Sequence, residues 1–422
     1  MKALKPYLRT LLLLVVLLLS ASAQAKITLP ANLTVIEAES FTGMPIDSLV
    51  IPEGVERIES RAFADCGLKN ISLPGSLTYI ASDAFDGCRG LYATAPSGSY
   101  AARRCKAIGI STNNVVSLNV VSRTQEEIRS FIQCHPADTD SCTSFRVAPV
   151  GGGYSCGDYS PGLLSDSTIE NAINMINQFR YIAGLNADVI NAPYLEEMMG
   201  AASLVHGLNG RTSHYPTRPD ALVDDGYDEL YDLACTAAGS SNLSSGYRNL
   251  ADSIYRGYMY DSSSSNIPMV GHRRWILNPS MSRTAFGYYE QPGTYSRYFS
   301  GMYAFDRSGN GRQNLVAWPA QQTPVSHFYS SASCAWSLSF GRTLNAGSIE
   351  VTVTRRSDGR IWQFNSESAD GAFYVNNGYY GQTGCVIFRP DGVGTICAGE
   401  IFDVCVLDES EHIAVNYTVE FF

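Results

Sequence analysis

LPANLTVIEAESFTGMPIDSLV (29–50), IPEGVERIESRAFADCGLKNIS (51–72) and LPGSLTYIASDAFDGCRGLYAT (73–94) are three consecutive segments of 22 residues that align without a gap. Ile36, Ile58 and Ile80 share one phase, and Phe41, Phe63 and Phe85 share another. The pairs Leu29-Pro30, Ile51-Pro52 and Leu73-Pro74 share a third. A fixed period of this length predicts a solenoid, in which each coil buries its apolar face only against the next coil. So short an array needs a cap or a neighbour to be stable. Cys66 and Cys88 also fall in one phase. Neighbouring strands lie about 4.7–4.9 Å apart and a disulfide wants Cα atoms about 4.4–6.8 Å apart. The spacing therefore allows either a bridge or a stack of reduced thiols.

The Ile-Pro, Ile-x-x-x-Ala-Phe and Cys-Gly punctuation resembles the bacterial surface-protein type of leucine-rich repeat, and Ser97–Ile110 (SGSYAARRCKAIGI) resembles that family's closing helix. Together they give a repeat domain at 26–112. Ahead of it stand Lys2, Lys5 and Arg9, an apolar run Leu11–Leu19 and the triplet Ala23-Gln24-Ala25. This order predicts a secretory signal peptide over 1–25, with Lys26 as the first mature residue. The apolar run is shorter than the roughly 20 residues a membrane span needs, and no later stretch reads as a transmembrane segment.

The 422 residues hold 30 bases and 40 acids. Residues 1–25 contain three bases and no acid, so the remainder carries 27 bases against 40 acids, a formal charge of −13. That balance argues against a nucleic-acid partner, whose phosphates need positive charge. Eleven Cys with no Cys-x-x-Cys pair support neither a zinc ribbon nor a thioredoxin-like site. Export permits disulfides, and Cys134, Cys142 and Cys156 are placed to staple the segment after the repeats.

Residues 113–164 read as a connector, with Gly151-Gly152-Gly153 and Pro161-Gly162 as breaks. Ser167 and Glu170 form a capping-box pattern, and Ile169, Ile173 and Ile176 continue it as a helix to about Ile182. A second helix is expected from about Tyr194 to Val205, closed by Gly207, and a third over Asn249–Tyr260. Strands are expected at Thr284–Tyr289, Arg297–Phe305 and Leu315–Trp318. From Gln321 to Phe422 the pattern is wholly of strands and turns, which predicts a small immunoglobulin-like β-sandwich.

Three of the six His fall in the middle region: His206, His214 and His272. Acids gather at Asp224, Asp225, Asp228, Glu229 and Asp232, and Asp261 precedes the His272 loop. Two loop histidines beside carboxylates suit a divalent metal or acid–base work. Histidines bonded to backbone carbonyls are the plainer alternative. A Ser241-His-Asp triad lacks the Gly-x-Ser-x-Gly elbow, and Ser in a Ser/Gly-rich loop is usually a turn former. Arg273, Arg274 and Trp275 could line a cavity, although an Arg after a loop is more often a surface or ion-pair residue.

Residues 165–320 resemble the CAP superfamily of cysteine-rich secretory, antigen 5 and pathogenesis-related-1 proteins, in its bacterial branch. The resemblance rests on Gly271-His272-Arg273, Ile276-Leu277-Asn278-Pro279, Phe286-Gly287, and the opening Asn177, Arg180 and Gly184-Leu185. It implies an α-β-α sandwich and a cavity bearing two His and two carboxylates. His214 and His272 carry over. The family's Gly-Glu-Asn appears as Ser240-Ser241-Asn242, so one carboxylate is replaced by Ser241. Asp261 is the leading candidate for the second acid, and the 224–232 cluster the next. With Asn242 these residues form the expected cavity, and His214 and His272 would hold zinc weakly. Members of the superfamily bind sterols, lipids or proteins, and a few have been proposed as hydrolases.

The expected whole is therefore multidomain α+β: signal peptide 1–25, leucine-rich repeats 26–112, connector 113–164, CAP-like α-β-α domain 165–320 and β-sandwich 321–422. The expected function is extracellular binding, secreted or at the cell surface, of a protein, cell-wall, lipid or small-molecule ligand. The alternative is a secreted hydrolase or metal-dependent enzyme centred on the His pair.

Overall fold

The computed structural model describes residues 27, 29–30, 32–96, 98–151, 159–223, 225–292, 297–328, 334–408, 410–411 and 413–422. The expected signal peptide, Gly152-Gly153, Cys156 and Asp224 lie outside the described residues. The chain forms two compact units. The first holds residues 1–119, 348–365 and 401–418, and the second holds 120–347, 366–400 and 419–422.

In the first unit the 22-residue period becomes a register of hydrogen bonds. Strands β1 (Val35–Ile36), β3 (Arg57–Ile58) and β5 (Tyr79–Ile80) pair in parallel, with Val35 opposite Arg57 and Arg57 opposite Tyr79. On a second side of each coil, β2 (Ser48–Val50), β4 (Asn70–Ser72) and β6 (Tyr92–Pro96) pair likewise. Bonds recur at a fixed offset: the Phe41 N–H donates to Ala62 O at 2.8 Å and the Phe63 N–H to Ala84 O at 2.8 Å. The repeated Phe rings stack with centroids 5.0 Å and 5.5 Å apart, and Phe63 and Ile58 are wholly buried. The coil corner has its own period. Gly43, Asp65 and Gly87 all take positive φ (71°, 55° and 80°), a conformation open to Gly and tolerated by Asp.

The array ends as expected in a helix, α1 (Tyr100–Ala107), capped by Ser99 and burying Ala101, Ala102 and Cys105. Beyond it the structure departs from the sequence-based division. Residues 111–118, read as connector from 113 onward, form strand β7, which extends the β2–β4–β6 sheet in parallel. Val116–Leu118 of β7 then pair in parallel with Ile413–Val415. Ile401–Asp408, Ile349–Arg355 and Ile361–Phe364 continue the same sheet. So several strands expected in a separate sandwich at 321–422 instead extend the repeat sheet. The physical reason is the open edge of a solenoid, whose free N–H and C=O groups call for a covering strand.

In the second unit, β8 (Ser241–Ser245), β9 (Phe286–Gln291) and β10 (Arg297–Tyr303) form an antiparallel sheet in the order β8-β10-β9. Helix α2 (Gln125–Cys134) opens the unit with a Thr124–Glu127 capping box inside the segment read as connector. Helix α3 runs Asp166–Ile182, as expected, but its cap is Ser165, which accepts from the Thr168 N–H, and not Ser167. Helix α4 (Glu196–Asn209) passes Gly207 and stops at Gly210, which takes the left-handed conformation. Gly207 lies within the helix at a point where a Cβ would run into the Tyr289 ring. Helix α5 (Asp228–Gly239) was not expected; its first turn holds Asp228 and Glu229, acids that favour the positive end of a helix.

The central sheet carries helices on both faces. Gly287 and Gly301 lie opposite one another, and a side chain at either would collide with Met199 of α4. The pair lets α4 rest directly on the strands, with α5 packed beside α4. On the other face the π-helical segment Ser253–Met259 sends the Tyr258 hydroxyl to Ser300 Oγ at 3.1 Å. A second sheet of this unit runs β11 (Val316–Trp318), β12 (Trp336–Ser339), β14 (Cys385–Pro390) and β13 (Gly371–Asn376). Three of its strands come from 321–422, so that region divides between two sheets.

Candidate functional site

The site residues hang from β8 and its flanking elements. Successive residues of a strand point to opposite faces, and Ser241 and Asn242 do so here. The Ser241 hydroxyl faces α4 and α5, donating to Ala237 O at 2.5 Å and touching Met199 Sδ at 3.4 Å. The Asn242 amide faces the other layer and donates to His272 O at 2.9 Å. The two side chains therefore cannot share one cleft. Ser241 makes no bond to a histidine among the described residues, so the triad gains no support. Asn242 is 1% exposed, and its Oδ1 has no partner among the described residues.

His272 stands in helix α6 (Gly271–Ile276). Its Nδ1 lies 2.9 Å from Asp261 Oδ1, and its backbone N–H donates to Asp261 Oδ2 at 3.0 Å. The Asp261 side chain is fully buried and the imidazole is 20% exposed. The carboxylate holds the proton on Nδ1 and leaves the Nε2 lone pair unengaged among the described residues, an arrangement that orients an imidazole as base or ligand. The Asn266 amide stands 3.3 Å from Nδ1, and the Tyr258 ring centroid lies 5.5 Å from the imidazole. Strained backbone frames the pair: Asp261 (φ 51°) and Val270 (φ 40°) are left-handed. For a β-branched residue this is a true outlier, of the kind that clusters at functional sites.

Burial presses against a charged His272, but the charge of Asp261 and its hydrogen bond together prevail, and the imidazole pKa is raised above 6.5. The stability this pair supplies is complete below about 6.5, the unfolded value, and is lost as pH climbs through the raised folded value. We expect the His272 ring resonance in an NMR titration to move at a pH above 6.5, and Asp261→Asn to bring it down. A wild-type midpoint below 6.5 would show that the carboxylate does not govern this ring.

His214 belongs to the layer of α4 and α5. Its Nδ1 lies 2.8 Å from Ala238 O, at the last carbonyls of α5. Its neighbour His206, wholly buried, has Nε2 2.8 Å from Ser213 O and an Nδ1 with no partner among the described residues. Burial, helped by the charge of His214 and opposed by the Ser213 carbonyl, pushes the His206 pKa down. No hydrogen bond or ring contact joins His214 to His272. Among the described residues, no three His, Cys, Asp or Glu side chains gather as a metal-binding group. Of the acidic cluster, Asp228 pairs with Arg218 at 2.5 Å.

The arginines after His272 are neither surface groups nor ion-paired. Arg273 is wholly buried and donates to Met259 O, Ala335 O and Tyr260 O at 2.8, 2.7 and 3.0 Å. Arg274, 4% exposed, donates to Asn376 Oδ1, Gly378 O and Gln382 O, and its guanidinium lies 4.8 Å from the Tyr380 ring centroid. The guanidinium fork suits such multiple carbonyl acceptors. Together they tie the His272 helix to the second sheet of the unit. Trp275, 8% exposed, packs on Phe305 at 4.8 Å. Sequence reasoning missed Tyr258 and Asn266, which have no motif spacing to mark them.

Residues 20–105 match the family described as the BspA type leucine rich repeat region, in six copies. No curated protein and no solved structure matches the chain. Repeats of this type suggest a surface or interaction protein. Among the described residues no helix is long and apolar enough to cross a membrane. All ten described cysteines are free thiols. The expected staple therefore does not form between Cys134 and Cys142, and Cys66 and Cys88 stand as stacked thiols.

Proposed function

We propose that the protein is exported and acts outside the cell as a binding protein, with recognition on the repeat coils. The observation that carries this is the match of residues 20–105 to surface-type repeats. The basic, apolar and Ala-x-Ala order of residues 1–25 supports export. Residue chemistry on the coils points to one face: Arg57 and Tyr79 occupy equivalent positions on β3 and β5, and the Arg57 guanidinium lies 4.2 Å from the Tyr79 ring centroid. Both are exposed, and Tyr and Arg are the residues that dominate binding hot spots. Expression with the leader in an exporting bacterium tests the first part. The product should begin at Lys26 outside the cytoplasm; an intact Met1 on exported protein, or retention inside the cell, would refute it.

Residues 165–320, within the second unit, are proposed to be CAP-like. Supporting this are the Gly-His-Arg block, the helices on both faces of the antiparallel sheet and the buried Asn177 and Arg180. The cavity residues His214, Ser241, Asn242, Asp261 and His272 divide between two layers, so the proposed ligand site narrows to His272, Asp261 and Asn242. Acid–base or zinc chemistry is the second reading, favoured by the unengaged Nε2 of His272. Zinc added to the NMR sample at a pH above the His272 midpoint should then move that resonance, and no movement would remove the metal.

A further inference from the structure

Cys66 and Cys88 sit one above the other on the second and third coils, and their sulfurs are 3.5 Å apart. Both thiols donate to one acceptor, Phe63 O, at 2.8 Å and 3.0 Å. The coils that carry them are in strict register on either side, Arg57 opposite Tyr79 and Asn70 opposite Tyr92. Parallel neighbours of this kind are separated by about 4.7–4.9 Å, inside the roughly 4.4–6.8 Å range of bridged cysteines. Phe63 O keeps a donor when both S–H groups are lost, because it also receives the Cys66 N–H at 3.4 Å.

We propose that Cys66 and Cys88 are a covalent locking site, closed to a disulfide between the second and third coils when the chain meets a small-molecule disulfide. Cys88, the more exposed of the two, attacks the oxidant and releases one small thiol, forming a mixed disulfide. Cys66 then attacks the Cys88 sulfur, forms the coil-to-coil bond and releases the second small thiol. Two protein S–H bonds are broken, their protons pass to the two departing thiolates, and the oxidant is reduced by two electrons. Burial and the neighbouring sulfur push the Cys88 thiol up to about 12. Thiolate is the attacking species, so closure is slow at neutral pH and quickens as pH rises. The lock ties adjacent coils of a scaffold whose stability is transmitted from coil to coil.

The test uses the full chain incubated with oxidised glutathione at pH 8.5, followed by thiol counting, peptide mapping and thermal melting. The expected results are loss of two thiols beyond those of the exposed Cys134, Cys142 and Cys397, a linked peptide pair carrying Cys66 and Cys88, and a melting temperature on the order of 5–10 °C higher than that of the reduced chain. Cys88→Ser, at a partly exposed position, should abolish all three. Cys105→Ala should abolish none, although Cys105 shares the same core. No thiol loss beyond that of the exposed cysteines, a mixed disulfide that persists on Cys88, or linkage through Cys105 would overturn the proposal.

Discussion

Replacing Phe63 with Ala should remove about 3–5 kcal/mol from the first unit. The ring is wholly buried and stacked between Phe41 and Phe85, so its removal leaves a cavity in the middle of the array. A solenoid has only nearest-neighbour contacts. The first coil then loses its hold on the third, and the loss spreads in both directions. With urea slopes of about 1–3 kcal/mol per molar, the midpoint for this unit should fall by roughly 2 M. A Phe41→Ala comparison should cost less, since a ring at the end of a stack has one neighbour. Equal midpoints for wild type and Phe63→Ala would mean that the stack does not hold the coils.

Arg180→Met should be as severe in the second unit. The guanidinium is wholly buried and donates to Asn186 O, Ile276 O, Asn278 O and Met281 O at 2.9, 2.9, 2.7 and 3.0 Å. Burial lowers its pKa to about 10, still charged at neutral pH. Met matches its length but offers no donor, so Asn186 O, Ile276 O and Met281 O lose the guanidinium and Asn278 O keeps only the Met281 N–H at 3.1 Å. A loss of about 3–5 kcal/mol follows from the desolvation left uncompensated. Because Arg180 grips the end of the His272 helix, the His272 resonance should also shift toward its unfolded position. A variant that melts like wild type would show that water replaces the guanidinium.

Local patterns foretold local structure. The phase shared by Phe41, Phe63 and Phe85 fixed the coil, and the Ile169–Ile176 spacing fixed helix α3. Asp261 was chosen only for its place before the His272 loop, and it proves to hold that ring. Helix α5 and strand β8 escaped because Ala, Cys and Ser carry little periodicity, and Ser and Asn are poor strand formers. Arg273 and Arg274 misled by residue type, since charge ordinarily signals exposure and here backbone carbonyls and Asn376 Oδ1 absorb it. The pairing of Val116 with Ile413 has no local signature: strand propensity at 401–421 says that a strand forms, not which sheet it joins.

The binding role of the coils rests most directly on one comparison. Fluorescently labelled full-length chain is titrated onto purified bacterial cell walls and onto an intact epithelial cell layer, as wild type, Arg57→Glu/Tyr79→Ser and His272→Ala. Wild type should bind one of these surfaces saturably, His272→Ala should bind it equally well, and the double substitution on the coil face should weaken binding at least tenfold. Saturable binding that survives the coil substitutions but is lost with His272→Ala would place recognition in the second unit and contradict the proposal, as would the absence of saturable binding to either surface.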